Sequence, residues 1–152
     1  MSINLTQHLP FRLAVVANYL KRATSDSFVA DTGLTGRDWR VLSLLHLQGA
    51  MTPAQLSDMT GLDRPTISRA LKSLTQQAFI DRAEHQADGR SQIISITEQG
   101  QRLADRLMPA MLNSDQLYKS VLSSGETQLL LELLAKLEQQ ARAQLIQADD
   151  EY

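Results

Sequence analysis

Two helix signals meet at a three-residue junction, which restricts the fold more than any other feature of the chain. Thr52-Pro53-Ala54-Gln55 has the pattern of a capping box with proline in the first turn, so it predicts a helix that ends at Gly61. Asp63 can cap the next helix, which we expect to extend to about Gln77. Two short helices joined this closely are typical of a helix-turn-helix, whose second helix can enter the DNA major groove.

The helix after Asp63 has two different faces when its residues are placed on a helical wheel. The apolar face carries Ile67, Ala70, Leu71 and Leu74. The opposite face carries Pro65, Arg69, Lys72 and Gln76, flanked by Thr66 and Ser68. Side chains of this kind at the N-terminal half of a helix can contact base edges and phosphates. A solvated amphipathic surface helix would have the same pattern, so that alternative stays open.

A change from helical to alternating periodicity follows directly. Residues Phe79 to Arg82 and Gln92 to Thr97 are predicted strands, and Asp88-Gly89 favours a turn between them. A hairpin after a helix-turn-helix is a wing, and Arg90 near its tip suits the narrow minor groove. The predicted DNA-binding residues are Thr52, Arg64, Pro65, Thr66, Ser68, Arg69, Lys72, Arg82, Asp88, Arg90 and Ser91.

Charge alone would not hold this region on DNA. Between residues 61 and 92 the five cations Arg64, Arg69, Lys72, Arg82 and Arg90 are nearly balanced by the four carboxylates Asp63, Asp81, Glu84 and Asp88. The whole chain has a formal net charge of −2. Specific binding would therefore depend on geometry and two-fold repetition.

Helices on both sides of this region carry long apolar stripes. We expect a first helix from Leu9-Pro10 to about Ala30, a second from a Thr35 cap to Gln48, a long helix after Thr97, and a last helix after a capping box at Ser123, with a frayed tail from Asp149. An ordinary intramolecular core could absorb such stripes. Their position at both chain ends favours a shared dimer bundle instead.

The predicted fold class is therefore mainly α with a small β-hairpin wing (α+β), a winged helix-turn-helix whose terminal helices form a dimerisation bundle. Residues 1–34 would form the N-terminal dimerisation helix, residues 35–97 the DNA-binding region, and residues 98–152 the C-terminal dimerisation helices. The three parts would make one intertwined domain.

The helix after Thr35 has a second face with mixed chemistry. Trp39, Ser43 and His46 offer an indole, a hydroxyl and an imidazole, to which Tyr19 and Arg22 of the first helix could add. Apolar walls with a few polar groups suit a small aromatic anion, so these five residues are a candidate ligand site. The alternative is that Trp39 packs in the core and His46 bonds a backbone carbonyl.

Composition excludes several classes of activity. The chain has no cysteine, which removes disulfides, thiol chemistry and cysteine metal sites. Its three histidines form no zinc-binding pattern, and we find no nucleophile motif or phosphate-binding glycine loop, so we expect neither an enzyme nor a cofactor. No apolar run approaches the roughly 20 residues of a membrane span. We find no signal peptide and therefore expect a cytoplasmic location.

Two segments give the chain a specific resemblance. Residues 88–100, Asp-Gly-Arg-Ser-Gln-Ile-Ile-Ser-Ile-Thr-Glu-Gln-Gly, are similar to the wing pattern of the MarR family of bacterial regulators, and residues 62–69 resemble its recognition helix. The likeness extends from about Leu9 to Gln144. It implies an obligate dimer built from the terminal helices and pseudo-palindromic DNA sites, often near the regulator's own gene. It also implies, as in many members, release from DNA by a phenolic or other aromatic acid. The family's cysteine-based oxidation sensors are excluded here.

Together, the sequence predicts a repressor that binds DNA as a homodimer and is released by a small, aromatic effector. The alternative is a winged-helix protein-interaction module without specific DNA binding.

Overall fold

A computed structural model describes residues 3–84 and 92–150. Its elements, in chain order, are helices α1 (Leu9–Ala23), α2 (Ser25–Phe28), α3 (Gly36–Gln48), α4 (Pro53–Thr60) and α5 (Arg64–Gln76), strands β1 (Ile80–Glu84) and β2 (Gln92–Ile96), and helices α6 (Glu98–Lys119) and α7 (Ser124–Asp150). The predicted class, mainly helical with one small hairpin, is confirmed. The predicted turn at Asp88-Gly89 lies outside the described residues.

Capping boxes fix where three of the helices begin, as the sequence predicts. The Thr35 hydroxyl accepts from the Asp38 amide while the Asp38 carboxylate accepts from the Thr35 amide. Thr52 and Gln55 exchange the same pair of bonds at α4, and Ser123 and Glu126 exchange it at α7. Each box satisfies amides that the first helical turn would otherwise leave without acceptors.

The predicted extent of the first helix is wrong. The helix stops at Ala23 instead of about Ala30, because Thr24 leaves the helical region with φ −116° and ψ −95°. The Thr24 hydroxyl donates to the Leu20 carbonyl at 2.7 Å, a local bond that competes with regular helix geometry. A separate short helix, α2, follows. At the other end of the chain, α7 continues to Asp150, one residue beyond the predicted start of the frayed tail.

The two strands form an antiparallel pair in which Ile80 lies opposite Ile96 and Glu84 opposite Gln92. Strand β1 begins one residue later than predicted because the chain first closes α5. Ala78 adopts φ 56°, and the Phe79 amide then donates to the Leu74 carbonyl at 3.0 Å. Met51 adds a short third edge to the hairpin through two backbone bonds with Ile94.

The chain divides into two compact units, Met1–Met111 and Leu112–Tyr152. In the first unit α3 is central, since Val41, Leu42 and Leu45 are fully buried. It packs against α2, α4, α5 and β2. In the second unit the apolar side chains of α7 are exposed, and those exposed by 40% or more are Leu129, Leu130, Leu131, Leu133, Leu134, Leu145 and Ile146. Helix α1 likewise has no fully buried residue.

Candidate nucleic-acid interface

The junction between α4 and α5 is a tight turn held by local hydrogen bonds. Gly61 adopts the left-handed φ of 67° that ends α4, and its amide donates to the Ser57 carbonyl. The Ser57 hydroxyl donates to the Leu62 carbonyl at 2.6 Å. Asp63 then accepts from the Thr66 amide at 2.7 Å and starts α5. The helix-turn-helix predicted from the spacing is therefore present.

Helix α5, the predicted recognition helix, buries its predicted apolar face, since Ile67, Ala70, Leu71 and Leu74 are each exposed by 2% or less. The predicted outer face lies in solvent, where Arg64, Pro65, Ser68, Arg69 and Lys72 are exposed and Thr66 is half-buried. The Arg69 guanidinium donates to the Thr66 hydroxyl at 2.9 Å. This bond holds the arginine along the N-terminal half of the helix.

Asp63 is the one carboxylate at the start of this face, and its electrostatics differ from those of an ordinary aspartate. Hydrogen bonds from the Thr66 side chain and backbone, with a smaller contribution from the Arg69 charge, hold the pKa of Asp63 below its usual value of 3.8. The carboxylate therefore remains charged at neutral pH and is committed to the helix cap.

Besides Thr66 and Arg69, two further predicted DNA contacts have partners within the chain. The Thr52 hydroxyl accepts from the Gln55 amide at 3.2 Å as the cap of α4. Arg82 lies on β1, and its Nε donates to the Thr75 hydroxyl at 3.1 Å, which fastens the hairpin to the C-terminal turn of α5. Asp88, Arg90 and Ser91 lie outside the described residues.

The sequence reasoning missed a contact that a buried carboxylate makes with the predicted recognition helix. Asp38 is only 1% exposed, and its Oδ2 accepts both from the Thr35 amide and from the Ser73 hydroxyl of α5, the latter at 3.2 Å. Gln77 Nε2 in turn donates to the Ser73 hydroxyl at 3.3 Å. The pattern around Thr35 predicts the capping role of Asp38. No sequence pattern links it to a serine 35 residues away.

The five residues of the candidate ligand site occupy different environments. Trp39 and Ser43 are buried in α3, at 2% and 6% exposure, and the Ser43 hydroxyl donates to the Arg40 carbonyl. His46 Nε2 lies 3.3 Å from Asp105 Oδ1 of α6. Tyr19 and Arg22 are exposed on α1, and within residues 3–84 and 92–150 no hydrogen bond or ion pair joins them to the three α3 side chains.

Neither a metal centre nor a membrane span is found in the part of the chain that the structure describes. No group of three or more His, Cys, Asp or Glu side chains is arranged there to hold a metal ion. None of the helices in the same ranges is both long enough and apolar enough to cross a membrane.

The sequence profile of the MarR family matches residues 32–91, which span the helix-turn-helix. An uncharacterized HTH-type transcriptional regulator of Mycobacterium leprae is 32% identical over 105 residues, or 61% of this chain and 70% of that protein. The chain belongs to the MarR family. Another such regulator, from Mycobacterium bovis, is 39% identical over 62 residues, and the aligned part spans only 43% of its length. Both relatives are HTH-type transcriptional regulators, not enzymes.

Solved structures of MarR-family proteins have the same fold. A MarR/EmrR family regulator from Acinetobacter is 26% identical with a TM-score of 0.84, covering 93% of this chain and 99% of that one. A MarR mutant from E. coli, complexed with operator DNA, is 20% identical with a TM-score of 0.74 over 90% of this chain and 99% of that one. PcaV from Streptomyces coelicolor, in complex with its natural ligand, is 21% identical with a TM-score of 0.74 over 93% and 99%.

Proposed function

We propose that this chain is a transcriptional repressor that binds a pseudo-palindromic operator as a homodimer. A small, aromatic ligand would release it from the operator. The observation that carries the proposal is the outer face of α5, where Arg64, Arg69 and Lys72 are exposed on the second helix of a helix-turn-helix. The E. coli relative with the same fold is complexed with operator DNA. Acting on operator DNA would place the protein in the cytoplasm.

Arg69 is the residue we assign to base recognition. A guanidinium can donate two hydrogen bonds to the major-groove edge of guanine, the most common specific contact between a side chain and DNA. The Thr66 hydroxyl already holds Arg69 on the exposed face of α5, which reduces the side-chain entropy lost on binding. Arg64 and Lys72 would position the helix on phosphates, and Arg90 stays the predicted contact to the minor groove.

The test of DNA recognition compares one contact residue with a matched control. An operator is first selected from random DNA with the wild-type protein. Arg69→Ala should then weaken binding to this operator by about 5- to 150-fold, since one bidentate base contact contributes about 1–3 kcal/mol. Binding to random DNA should change much less. Arg142→Gln, which removes a half-buried arginine on α7 that is not a predicted contact, should leave both affinities unchanged. Equal losses on both DNAs would make Arg69 a phosphate contact.

The alternative function is a winged-helix module that binds a protein without specific DNA recognition. The near balance of five cations and four carboxylates between residues 61 and 92 favours it, because DNA-binding surfaces usually carry a clear positive excess. The same selection separates the two. A DNA-binding regulator yields an enriched sequence bound with an affinity that falls steeply with salt, whereas a protein-binding module yields no enrichment.

For the effector we propose the region around Trp39, Ser43 and His46, with Tyr19 and Arg22 as outer contacts. Trp39 and Ser43 are buried in the single chain, so a ligand would reach them only by displacing the side chains that cover them. Such a displacement would favour a spacing of the recognition helices that mismatches successive major grooves. The ligand would act solely through its different affinity for the two conformations.

Titration with salicylate, an aromatic carboxylate, tests the effector proposal. Salicylate should lower operator affinity by about 5- to 150-fold at saturation, the usual range of allosteric coupling, and operator DNA should weaken salicylate binding equally. Trp39 is the sole tryptophan of the chain, so its fluorescence reports on this region directly. His46→Ala should blunt the response. Fluorescence quenching that is the same with and without operator would contradict coupling.

A further inference from the structure

A groove on the first unit, separate from the α3 side chains just discussed, has a charge pattern that no part of the proposed function uses. It has a volume of about 440 Å³, within the range of small-molecule sites. One wall is the segment before α3 with Asp31 and Thr32, and another is the start of α6 with Arg102 and Arg106. The floor is apolar, formed by Leu103, which is 7% exposed, and the half-buried Phe79.

Helix geometry separates this groove from the His46 region. Gln99, Arg102, Leu103 and Arg106 lie within an arc of about 100° on α6. Asp105, the partner of His46, lies about 110° from the centre of that arc. A ligand in the groove therefore contacts a different face of α6 from the one that carries Asp105.

Most polar side chains of the groove have a partner within the chain, which leaves two that do not. The Thr32 hydroxyl donates to the Val29 carbonyl and accepts from the Leu34 amide. Arg102 pairs with Glu98 at 2.5 Å. The exposed side chains of Arg106 and Asp31, in contrast, form no hydrogen bond or ion pair with any residue in the described ranges, nor with each other.

We propose that this groove binds an aromatic or aliphatic α-amino acid. A cation and an anion that line one cleft without pairing match a zwitterion, whose carboxylate can take two hydrogen bonds from Arg106 while its ammonium donates to Asp31. The side chain of the amino acid would lie on Phe79 and Leu103. The Arg102 charge is already balanced by Glu98, so only Arg106 and Asp31 are available to a ligand. A ligand with one charged group would leave one of these two side chains unpaired.

The test uses three ligands that differ in one charged group each, titrated into the full chain without DNA and followed by calorimetry and NMR. L-phenylalanine should bind saturably at millimolar concentrations and shift the amide signals of Gln99 and Leu103. 3-Phenylpropionate, which lacks the ammonium, and phenethylamine, which lacks the carboxylate, should each bind about 5- to 10-fold more weakly, since the charged contacts are partly exposed to solvent.

Two variants and one control assign the contacts. Arg106→Gln should weaken the binding of L-phenylalanine but not that of phenethylamine, which lacks the carboxylate. Asp31→Asn should weaken the binding of L-phenylalanine but not that of 3-phenylpropionate, which lacks the ammonium. Arg142→Gln removes an arginine that pairs with Glu138 one turn earlier, as Arg102 pairs with Glu98, and should change nothing. The proposal would be overturned if L-phenylalanine did not bind saturably or if all three ligands bound with equal affinity. It would also be overturned if Arg142→Gln lowered the affinity for L-phenylalanine as much as the two groove variants. DNA binding does not enter this test, so its failure is distinct from failure of the proposed function.

Discussion

Ser73 connects the recognition helix to the carboxylate beneath it, and replacing it tests how much that connection stabilises the fold. Ser73→Ala removes a donor from Asp38, a carboxylate that is only 1% exposed. Leaving a buried acceptor short of one partner typically lowers the free energy of unfolding by about 1–3 kcal/mol. Urea denaturation measures the loss. Ser27→Ala, at an exposed serine of another helix, is the control and should change stability much less. Similar values for both variants would assign Ser73 no structural role.

Asp63 makes the stability of the recognition helix depend on pH. The pKa of Asp63 is held below 3.8 by its bonds with Thr66, so its contribution to folding is fully present above that pH and is lost as the pH falls through the lowered pKa. Asp63→Asn keeps a capping oxygen but cannot titrate. We expect wild type to melt at a higher temperature than Asp63→Asn near neutral pH, and the difference to shrink below pH 3.8. A difference that stays constant across this range would contradict the assignment.

At the residue scale, the sequence predicts what depends on neighbours three or four positions away. The caps at Thr35, Thr52 and Asp63 are confirmed because each needs only a side-chain oxygen and an amide three residues later. The bond between Ser73 and Asp38 is not predictable in this way. It forms only after α3 and α5 pack, and packing across 35 residues leaves no periodic trace in the chain.

At the scale of elements, the contact between α6 and the hairpin explains why the segment Thr97-Glu98-Gln99-Gly100 has glycine at its end. The Thr97 hydroxyl donates to the Ala78 carbonyl at 2.7 Å and also accepts from the Gly100 amide at 3.0 Å. This brings the first turn of α6 against Phe79, where a Cβ on residue 100 would clash with the Phe79 carbonyl oxygen. Only glycine permits that approach.

Gly100→Ala should therefore destabilise the first unit by about 1–3 kcal/mol, the usual cost of overpacking, because helix or strand must move apart. Thermal or urea unfolding gives the value. Gly125→Ala is a matched control on α7, where an added Cβ meets nothing within 4 Å and alanine favours the helix. If Gly100→Ala is as stable as Gly125→Ala, the close approach does not restrict this position.

The boundaries that the sequence misplaces have a common cause. At Thr24 a hydroxyl bond to Leu20 ends α1 although the apolar spacing continues, and at Ala78 a left-handed residue delays β1 by one position. Each boundary is decided by the backbone conformation of one residue. The spacing of apolar residues over ten or more positions does not resolve a boundary to one residue. The hairpin itself was predictable, since Ile94 and Ile96 alternate with residues of the other face. In the structure Ile94 is fully buried, as this alternation predicts.

At the scale of the whole molecule, family and fold class followed from one local motif, residues 88–100, together with the spacing around Gly61. Assembly did not follow in the same way. The division into residues 1–34, 35–97 and 98–152, and the dimer that would join two copies, stay predictions, because one chain carries only half of a shared interface.

The dimer proposal depends on the unpartnered apolar face of α7. Leu130 and Leu134 are one turn apart and exposed by 45% and 41%, and five further apolar side chains of the helix are exposed as well. Exposed apolar side chains in this number are unfavourable in water and mark an interaction site. A second copy of the chain offers the same surface, so pairing would bury both at once.

Replacing Leu130 and Leu134 with glutamate should produce monomers that bind operator DNA poorly. Four like charges brought together at a symmetric interface, two from each copy, would oppose pairing, whereas glutamate on an isolated helix surface is well tolerated. Sedimentation gives the oligomeric state and circular dichroism the helix content, which should stay near that of the wild type.

Gln128 and Gln139 lie on the opposite side of α7 from Leu130 and Leu134. Changing both glutamines to glutamate adds the same charge as a control and should leave the dimer intact. Operator affinity should fall only for the leucine variant, because a monomer engages one half-site where the dimer engages two about one helical turn apart. If the leucine variant sediments as a dimer, α7 is not part of the interface. If the wild-type chain sediments as a monomer, the dimer proposal is wrong.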